Sequence, residues 1–293
     1  MEYTVRHRTT YRYLQDVAQS WHLSHLLLRG TPTQSVAESK VTLTPEAASR
    51  VVRADYFGNA VEWFFFDSAH NLLEVVADSK VTVEPAPERA AGTSLAWEEV
   101  RTLLENPSDE AARDAVQYMF DSPFTVFTAD IAAYALKSFT PGRPLLEAAV
   151  ELMHRIHDEF RYDTTVTDTT TPVDKVYEIR AGVCQDLAHA GIAAMRSLGL
   201  PARYVSGYLM TRPPPGRARL LGADASHAWF SVWAPPFGWV DLDPTNDLVV
   251  SDAHVTAAWG RDYSDVAPVS GIILGGHDHV VDVGVDVIPE EKS

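Results

Sequence analysis

Polar and apolar residues alternate along the first eighty-odd positions, the pattern of β-strands that bury one face. One face of the first run carries Tyr3, Val5, His7, Thr9, Tyr11 and Tyr13. Further β-rich runs cover Trp21 to Leu28 and Lys40 to Thr44, and two more flank Phe57-Gly58-Asn59 as in a hairpin. Residues 72–85 add another strand or two. We therefore predict an antiparallel β-sandwich domain, or a curled sheet, over residues 1–88.

The pattern changes after the stretch 85–94, whose proline, alanine and glycine make it the best linker candidate. From Leu95 to Phe160, apolar residues recur every three or four positions, which predicts a series of helices. Another helix is predicted from about Val183 to Leu198, with Gly199 as its C-cap. We assign residues 95–293 to a second domain, with a helical insertion near its start.

Alternating strands are predicted again beyond this last helix. They cover residues 202–210, 226–234 and 238–243, with a final strand at 279–288 and a short Pro-Pro-Pro-Gly turn at Pro213. Helices and antiparallel strands that occupy separate stretches of the chain are typical of the α+β fold class.

Composition narrows the possible functions. The chain has 24 Lys and Arg against 40 Asp and Glu, a net charge of −16, and an acidic surface disfavours binding to nucleic acid. No apolar run approaches the roughly 18 residues that span a bilayer, and the N-terminus lacks the apolar core of a signal peptide. We therefore expect a cytoplasmic protein without membrane or nucleic-acid partners.

Cys184 is the one cysteine of the chain, so neither an intrachain disulfide nor a multi-cysteine zinc site is possible. It falls in the first turn of the predicted helix, directly after Gly182-Val183. The partial positive charge of a helix N-terminus favours a thiolate, and its free N–H groups can stabilise an oxyanion. A lone cysteine is also often a small buried hydrophobe. The local sequence leaves both interpretations open.

Two further residues have the chemistry that a thiolate nucleophile requires. His227 opens a predicted strand, and an imidazole can both hold the thiolate and protonate a leaving amine. Asp243 ends the next strand before Pro244, where a carboxylate can orient the imidazole. Asp241 shares its strand face by alternation, and an aspartate before proline is also common in turns.

The order of three motifs resembles that of bacterial transglutaminase-like proteins. The motifs are residues 180–189 (RAGVCQDLAH) continued by 200–208 (LPARYVSGY), Ser226-His227-Ala228-Trp229, and Asp243-Pro244-Thr245-Asn246. Residues 53–59 (RADYFGN) resemble a signature of the β domain that precedes this core in many members, and 260–268 (GRDYSDVAP) a segment that follows it. The resemblance covers essentially the whole chain apart from the helical stretch near 90–140.

This resemblance implies a papain-like, transglutaminase-like core behind the N-terminal β domain. It assigns the nucleophile to Cys184, the base to His227 and the orienting acid to Asp243 rather than Asp241. It implies that the substrate is a peptide or protein amide. It implies no cofactor and no metal. One departure is Ser231, where members often carry a glutamate.

The triad leaves the final acyl acceptor open. Water as acceptor makes the protein a peptidase or amidase, and an amine makes it a transglutaminase. We favour hydrolysis by analogy with bacterial members. A third possibility is an idle binding module, against which the intact set of Cys184, His227 and Asp243 argues.

Other candidates are weaker. His277 and His279 supply two imidazoles from alternate positions without an evident third metal ligand. Asp186 follows Cys184 in the helix, and we expect it to make local hydrogen bonds; positioning the histidine motif or a substrate amine is the alternative. A hydroxyl of Tyr162 or Tyr208 can complete an oxyanion hole, although core packing is the commoner role.

Overall fold

The computed structural model describes residues 1–211 and 226–290, and within them helices combine with two large antiparallel sheets, which confirms the α+β fold class. The first five strands follow the predicted alternation. They are β1 (Glu2–Ser24), β2 (Gln34–Thr44), β3 (Ser49–Ala54), β4 (Ala60–Phe66) and β5 (His70–Val83). The hairpin predicted around Gly58 joins β3 to β4, whereas the turn predicted at Pro213 lies outside the described residues.

β1 is one long strand rather than the two that the pattern predicted. Trp21, expected in a separate strand, lies near the end of β1 opposite Phe65 of β4. The first half of β1 pairs with β5 and its second half with β4, and the register shifts between Arg12 and Val17. The N-terminal region is therefore a curled antiparallel sheet, in the spatial order β2-β5-β1-β4-β3.

Helices fill the middle of the chain where apolar spacing predicted them. In chain order the elements are α1 (Trp97–Glu105), α2 (Glu110–Val116), α3 (Ala129–Ala135), α4 (Leu145–Glu159), the short strand β6 (Arg161–Tyr162), α5 (Val173–Ile179), the short strand β7 (Ala181–Gly182) and α6 (Cys184–Ser197). α5 was not predicted, because seven residues show too little periodicity. No helix in the described part of the chain is long and apolar enough to cross a bilayer.

α6 packs against the second antiparallel sheet. This sheet contains β8 (Ala202–Leu209), β9 (Ser226–Trp233), β10 (Trp239–Asp243), β11 (Leu248–Val249) and β12 (His254–Gly260), in the spatial order β11-β10-β9-β8-β12. A Cβ atom on Gly191 of α6 would lie 2.6 Å from the ring of Phe230 on β9. The absent side chain lets the helix that carries Cys184 lie directly on the strand that carries His227.

We expect Gly191→Ala to destabilise the fold by about 1–2 kcal/mol. The added methyl group overpacks a buried aromatic contact, at a cost of about 1–3 kcal/mol, and the better helix propensity of alanine returns up to about 1 kcal/mol. The urea midpoint of unfolding measures the difference. Gly92→Ala is the control, since its Cβ would make an ordinary 3.5 Å contact with Glu147. Equal midpoints for both variants would contradict the tight α6–β9 packing.

The last two strands return to the N-terminal sheet. β13 (Val269–Gly275) pairs with the second half of β1, and β14 (His279–Pro289) with its first half. The predicted final strand is therefore confirmed, although its partner and β13 were not predicted. The N-terminal sheet thus contains seven strands drawn from both ends of the chain.

The two sheets share a buried apolar cluster. It joins Tyr3 and Val5 of β1 to Tyr208 of β8 and Val255 of β12. At its edge the hydroxyl of Tyr208 lies 3.1 Å from His7 Nδ1. The N-terminal sheet is therefore packed directly against the sheet that carries the candidate site.

Candidate active site

Cys184 is the first residue of α6, with Val183 as the N-cap. The first N–H of this helix with a partner inside it is that of Leu187, which donates to the carbonyl of Val183 at 3.1 Å. The backbone N–H of Cys184 is therefore not used by the helix and is available to a substrate oxygen. The cysteine itself is half-buried, so its sulfur is held by packing without being sealed from solvent.

Asp186 fixes the start of this helix. Its Oδ2 atom accepts the backbone N–H of Val183 at 2.8 Å and the hydroxyl of Thr167 at 2.7 Å. A Cβ atom on Gly182 would lie 2.4 Å from the same oxygen, so only glycine fits between the strand and the cap. These contacts give Asp186 the local hydrogen-bonding role that the sequence suggested.

His227 stands between Cys184 and Asp243. Its Nε2 atom lies 2.7 Å from Asp243 Oδ2. The Cys184 side chain interacts with the same imidazole through hydrogen bonding and through its charge. Because Nε2 is engaged by Asp243, we infer that this interaction uses Nδ1. The structure thus brings together the three residues predicted as a triad, in the order thiol, imidazole, carboxylate.

Asp243 is fully buried and surrounded by donors. Its Oδ1 accepts the backbone N–H groups of Thr245 at 2.9 Å and Asn246 at 3.2 Å. Its Oδ2 accepts Nε2 of His227, Nε2 of His254 at 3.0 Å and Nδ2 of Asn246 at 2.7 Å. A carboxylate with this many donors is stabilised in its ionised form.

The charges of the site follow from these contacts. Burial raises the pKa of Asp243, but the hydrogen bonds from His227 and His254 outweigh it and hold that pKa far below its usual range. For His227 the balance is the opposite: burial alone would lower its pKa. Its hydrogen bonds to Asp243 and Cys184, together with the charges of both, outweigh burial and raise the pKa to about 9. His227 is therefore protonated at neutral pH and faces a carboxylate on one side and the thiol group on the other.

Two residues of this network escaped the sequence analysis. Asn246 belongs to the motif Asp243-Pro244-Thr245-Asn246, but no role was predicted for it. The feature that could have identified it is the turn that starts at Asp243, because an aspartate at the start of a turn can accept hydrogen bonds from the residues that follow. His254 lies outside all three motifs and reaches Asp243 from β12. Nothing in local sequence links a strand-opening histidine to a carboxylate eleven residues earlier.

His227, Asp243 and His254 also form a group that could hold a metal ion, since their ligand atoms lie within 4.8 Å of one another. The nitrogen–oxygen distances of 2.7 and 3.0 Å are those of hydrogen bonds, with one oxygen shared by both imidazoles. The three side chains are thus joined by hydrogen bonds. The expectation that no metal is required stays a prediction.

The remaining candidates lie away from the Cys184–His227 contact, with one exception. Tyr162 of β6 pairs beside Gly182, and burial together with the negative charge of Cys184 raises the pKa of its phenol. The hydroxyl of Tyr208 is hydrogen-bonded to His7. His277 and His279 are exposed and do not belong to the group formed by His227, Asp243 and His254. Asp241 is half-buried and pairs across the strands with Ser231 rather than with His227.

Comparison with known protein families gives two matches along the chain. The profile of the "Transglutaminase-like superfamily" matches residues 133–244, and that of the "Bacterial transglutaminase-like N-terminal region" matches residues 3–82. The first match contains Cys184, His227 and Asp243, and the second covers the first five strands except for the first residue of β1 and the last of β5. The site and the curled sheet thus correspond to two parts of one architecture.

Individual relatives agree with these matches. An uncharacterized protein of Mycobacterium tuberculosis (strain H37Rv) is 40% identical over 99% of this chain and 93% of its own length. A protein-glutamine gamma-glutamyltransferase of Pseudomonas aeruginosa is 33% identical over 46% of this chain and 21% of that protein. A solved structure from Cytophaga hutchinsonii, provisionally described as a cysteine protease, superposes with a TM-score of 0.76 at 20% identity, covering 100% of this chain and 92% of that one. This last likeness shows the fold.

Proposed function

The chain belongs to the transglutaminase-like superfamily, and from this premise we propose that it is a cysteine-dependent enzyme that hydrolyses amide bonds in peptides or proteins. The observation that carries the proposal is the continuous contact from Cys184 through His227 to Asp243. An imidazolium between a thiolate and a buried carboxylate is the arrangement that nucleophilic acyl transfer requires.

In the proposed acylation step, the Cys184 thiolate attacks the amide carbonyl carbon and the carbonyl π electrons move to oxygen. The backbone N–H of Cys184 donates to the resulting oxyanion. As the intermediate collapses, the C–N bond breaks and the amine leaves with the proton from His227 Nδ1. The products of this step are a thioester on Cys184 and a neutral His227 that remains oriented by Asp243.

In the second step, water attacks the thioester while His227 takes one of its protons. The C–S bond then breaks, the carboxylic acid leaves and the thiolate–imidazolium pair returns. Hydrolysis is the simpler proposal because water needs no acceptor pocket. Transfer to an amine is the alternative, and the name of the P. aeruginosa relative favours it for the shared segment.

The deciding experiment incubates the protein with a broad set of glutamine- and asparagine-containing peptides, with and without a primary amine. Mass spectrometry identifies the products, and Cys184→Ala is the control. Cleaved or deamidated peptides that depend on Cys184 would support hydrolysis. Amine-adducted glutamine that vanishes in the variant would replace hydrolysis by transamidation.

An idle binding module is a separate alternative, and thiol reactivity distinguishes it. At pH 6 an ion-paired Cys184 reacts rapidly with iodoacetamide, whereas an ordinary thiol is almost entirely protonated and reacts slowly. Slow labelling in the folded protein would count against catalysis and for the module.

We expect the rate of acylation to fall above pH 9. His227 carries its proton below its pKa of about 9 and loses it above, and the leaving amine needs that proton. The value of kcat/KM should therefore drop about tenfold per pH unit on the alkaline side. A rate that continues to rise through pH 10 would show that the imidazolium is not the general acid.

A further inference from the structure

His254 meets the candidate acid from a direction that the triad does not use. It opens β12, and its side chain is 1% exposed. Its Nε2 lies 3.0 Å from Asp243 Oδ2, while its Nδ1 is buried without a hydrogen-bond partner among the described residues. Because an ionised carboxylate only accepts, the Nε2 atom carries a proton, and Nδ1 makes no hydrogen bond to the described residues. The bond to Asp243 is thus the one side-chain hydrogen bond that His254 makes to the described residues, and it is made at the cost of an unsatisfied buried nitrogen.

The imidazole of His254 is clamped by its neighbours. The ring of Trp229 on β9 meets it edge to face, with 5.2 Å between centroids. Trp229 occupies this place because Gly207 lacks a side chain: a Cβ there would lie 2.6 Å from the indole. Because the indole of Trp229 packs against it, the His254 ring has little freedom to turn away from Asp243.

β12 is in turn held by the N-terminal sheet through a side-chain amide. Gln34 of β2 donates from Nε2 to the carbonyl of Thr256 at 2.7 Å and accepts the N–H of the same residue at 2.8 Å. This pair of hydrogen bonds has the pattern that a neighbouring strand would make, and it holds β12 in place two residues after His254. Gln34 is 5% exposed, so water competes little for these bonds.

A second amide grips the far end of the same strand. Asn59 donates from Nδ2 to the carbonyl of Trp259 at 2.8 Å and accepts its N–H at 3.0 Å. This contact docks the N-terminal sheet in the same way, but five residues from His254. It offers an internal comparison for the effect of Gln34.

We propose that His254 is a positioning residue for Asp243, and that the N-terminal sheet fixes it in place through Gln34. The inference rests on the proposed function in one respect, namely that Asp243 orients His227. Asp243 Oδ2 receives His227 from β9 and His254 from β12, so the two imidazoles fix the oxygen between them. The hydrogen bond from His254 also stabilises the negative charge on Asp243, so the proton between Asp243 Oδ2 and His227 Nε2 stays on His227.

The first test compares His254→Phe with His254→Gln. Phenylalanine keeps a ring against Trp229 without a donor, and glutamine places an N–H near the position of Nε2. We expect His254→Phe to lower kcat about tenfold with little change in KM, the scale of losing one hydrogen bond to a charged group. His254→Gln should return kcat to within about threefold of wild type. If the phenylalanine variant is unfolded by circular dichroism, His254→Leu replaces it.

A second readout needs no amide substrate. We expect the rate of Cys184 alkylation by iodoacetamide at pH 6 to fall about tenfold in His254→Phe and to recover in His254→Gln, in line with kcat. Wild-type alkylation and turnover in His254→Phe would overturn the positioning role. If wild type alkylates rapidly and depends on His254 but turns over no amide, the proposed function fails while the positioning role stands.

The contribution of Gln34 is tested with a matched pair. Gln34→Met and Asn59→Leu each remove one docking amide, and their unfolding midpoints show how far each loosens the fold. We expect alkylation at pH 6 to fall several-fold in Gln34→Met and to stay near wild type in Asn59→Leu. Equal losses in both variants, or no loss in Gln34→Met, would overturn the role of Gln34.

Discussion

Replacing Cys184 with alanine is expected to reduce amide turnover by about 10⁵–10⁶-fold, the scale of losing the nucleophile of a catalytic triad. Only the sulfur is removed, and the chain has no other cysteine that could take over its chemistry. Binding of substrate should persist, because the free N–H groups at the start of α6 remain. Turnover by mass spectrometry, together with a binding measurement on the same peptide, separates the two effects.

The fold should be nearly unchanged in this variant. Cys184 is half-buried at the first position of α6 and takes part in no disulfide, and alanine is a better helix former. Cys184→Ser is the companion control, since it keeps a hydrogen-bonding group but lacks a readily ionised one. Substantial activity in either variant, with a wild-type unfolding midpoint, would place the nucleophile elsewhere.

The second large effect is expected at the carboxylate. Asp243→Asn should lower kcat by about 10³–10⁴-fold, as for the corresponding change in a serine triad. The amide keeps the size of the side chain, but it removes the charge that holds the proton on His227. Its N–H₂ group also faces donors from His227 and His254, so at least one imidazole must turn or change tautomer.

Asp241→Asn is the matched control for this prediction. It makes the same chemical change two positions earlier on β10, at a residue that pairs with Ser231 and does not contact His227. We expect its kcat to stay within about threefold of wild type, because the change leaves Cys184, His227 and Asp243 in place; the unfolding midpoint shows separately what the loss of charge beside the buried Arg203 costs the fold. Similar losses in both variants would mean that the sheet needs negative charge in general and that Asp243 has no special role.

Local patterns were enough to predict the elements that depend on neighbours in sequence. Period-two alternation identified the start of β1, because the odd-numbered residues from Tyr3 to Tyr13 are buried or half-buried. The helix that carries Cys184 was bounded within a residue at each end, since Gly199 adopts a φ of +71° that favours glycine. The family resemblance favours Asp243 over Asp241 as the orienting acid, and in the structure Asp243 Oδ2 lies 2.7 Å from His227 Nε2.

Contacts between distant segments could not be predicted in this way. The pairing of β1 with β13 and β14 depends on strand edges that look alike in sequence, so the tail was predicted as a strand without a partner. Trp21 was assigned to a separate strand because a long strand that changes partners resembles two short ones. His254 and Gln34 carry no motif, and their importance follows only from which backbone and carboxylate groups lie opposite them.

The return of the last two strands to β1 has a consequence for synthesis on the ribosome. The side chains of Thr4 and Glu290 are joined by a hydrogen bond although 286 positions separate them. β1 therefore exposes one unpaired edge until β13 and β14 have been translated, at about 5–20 residues per second a delay of tens of seconds. Since such non-local pairing is slow to form, we expect the open edge of β1 to need protection by a chaperone during synthesis.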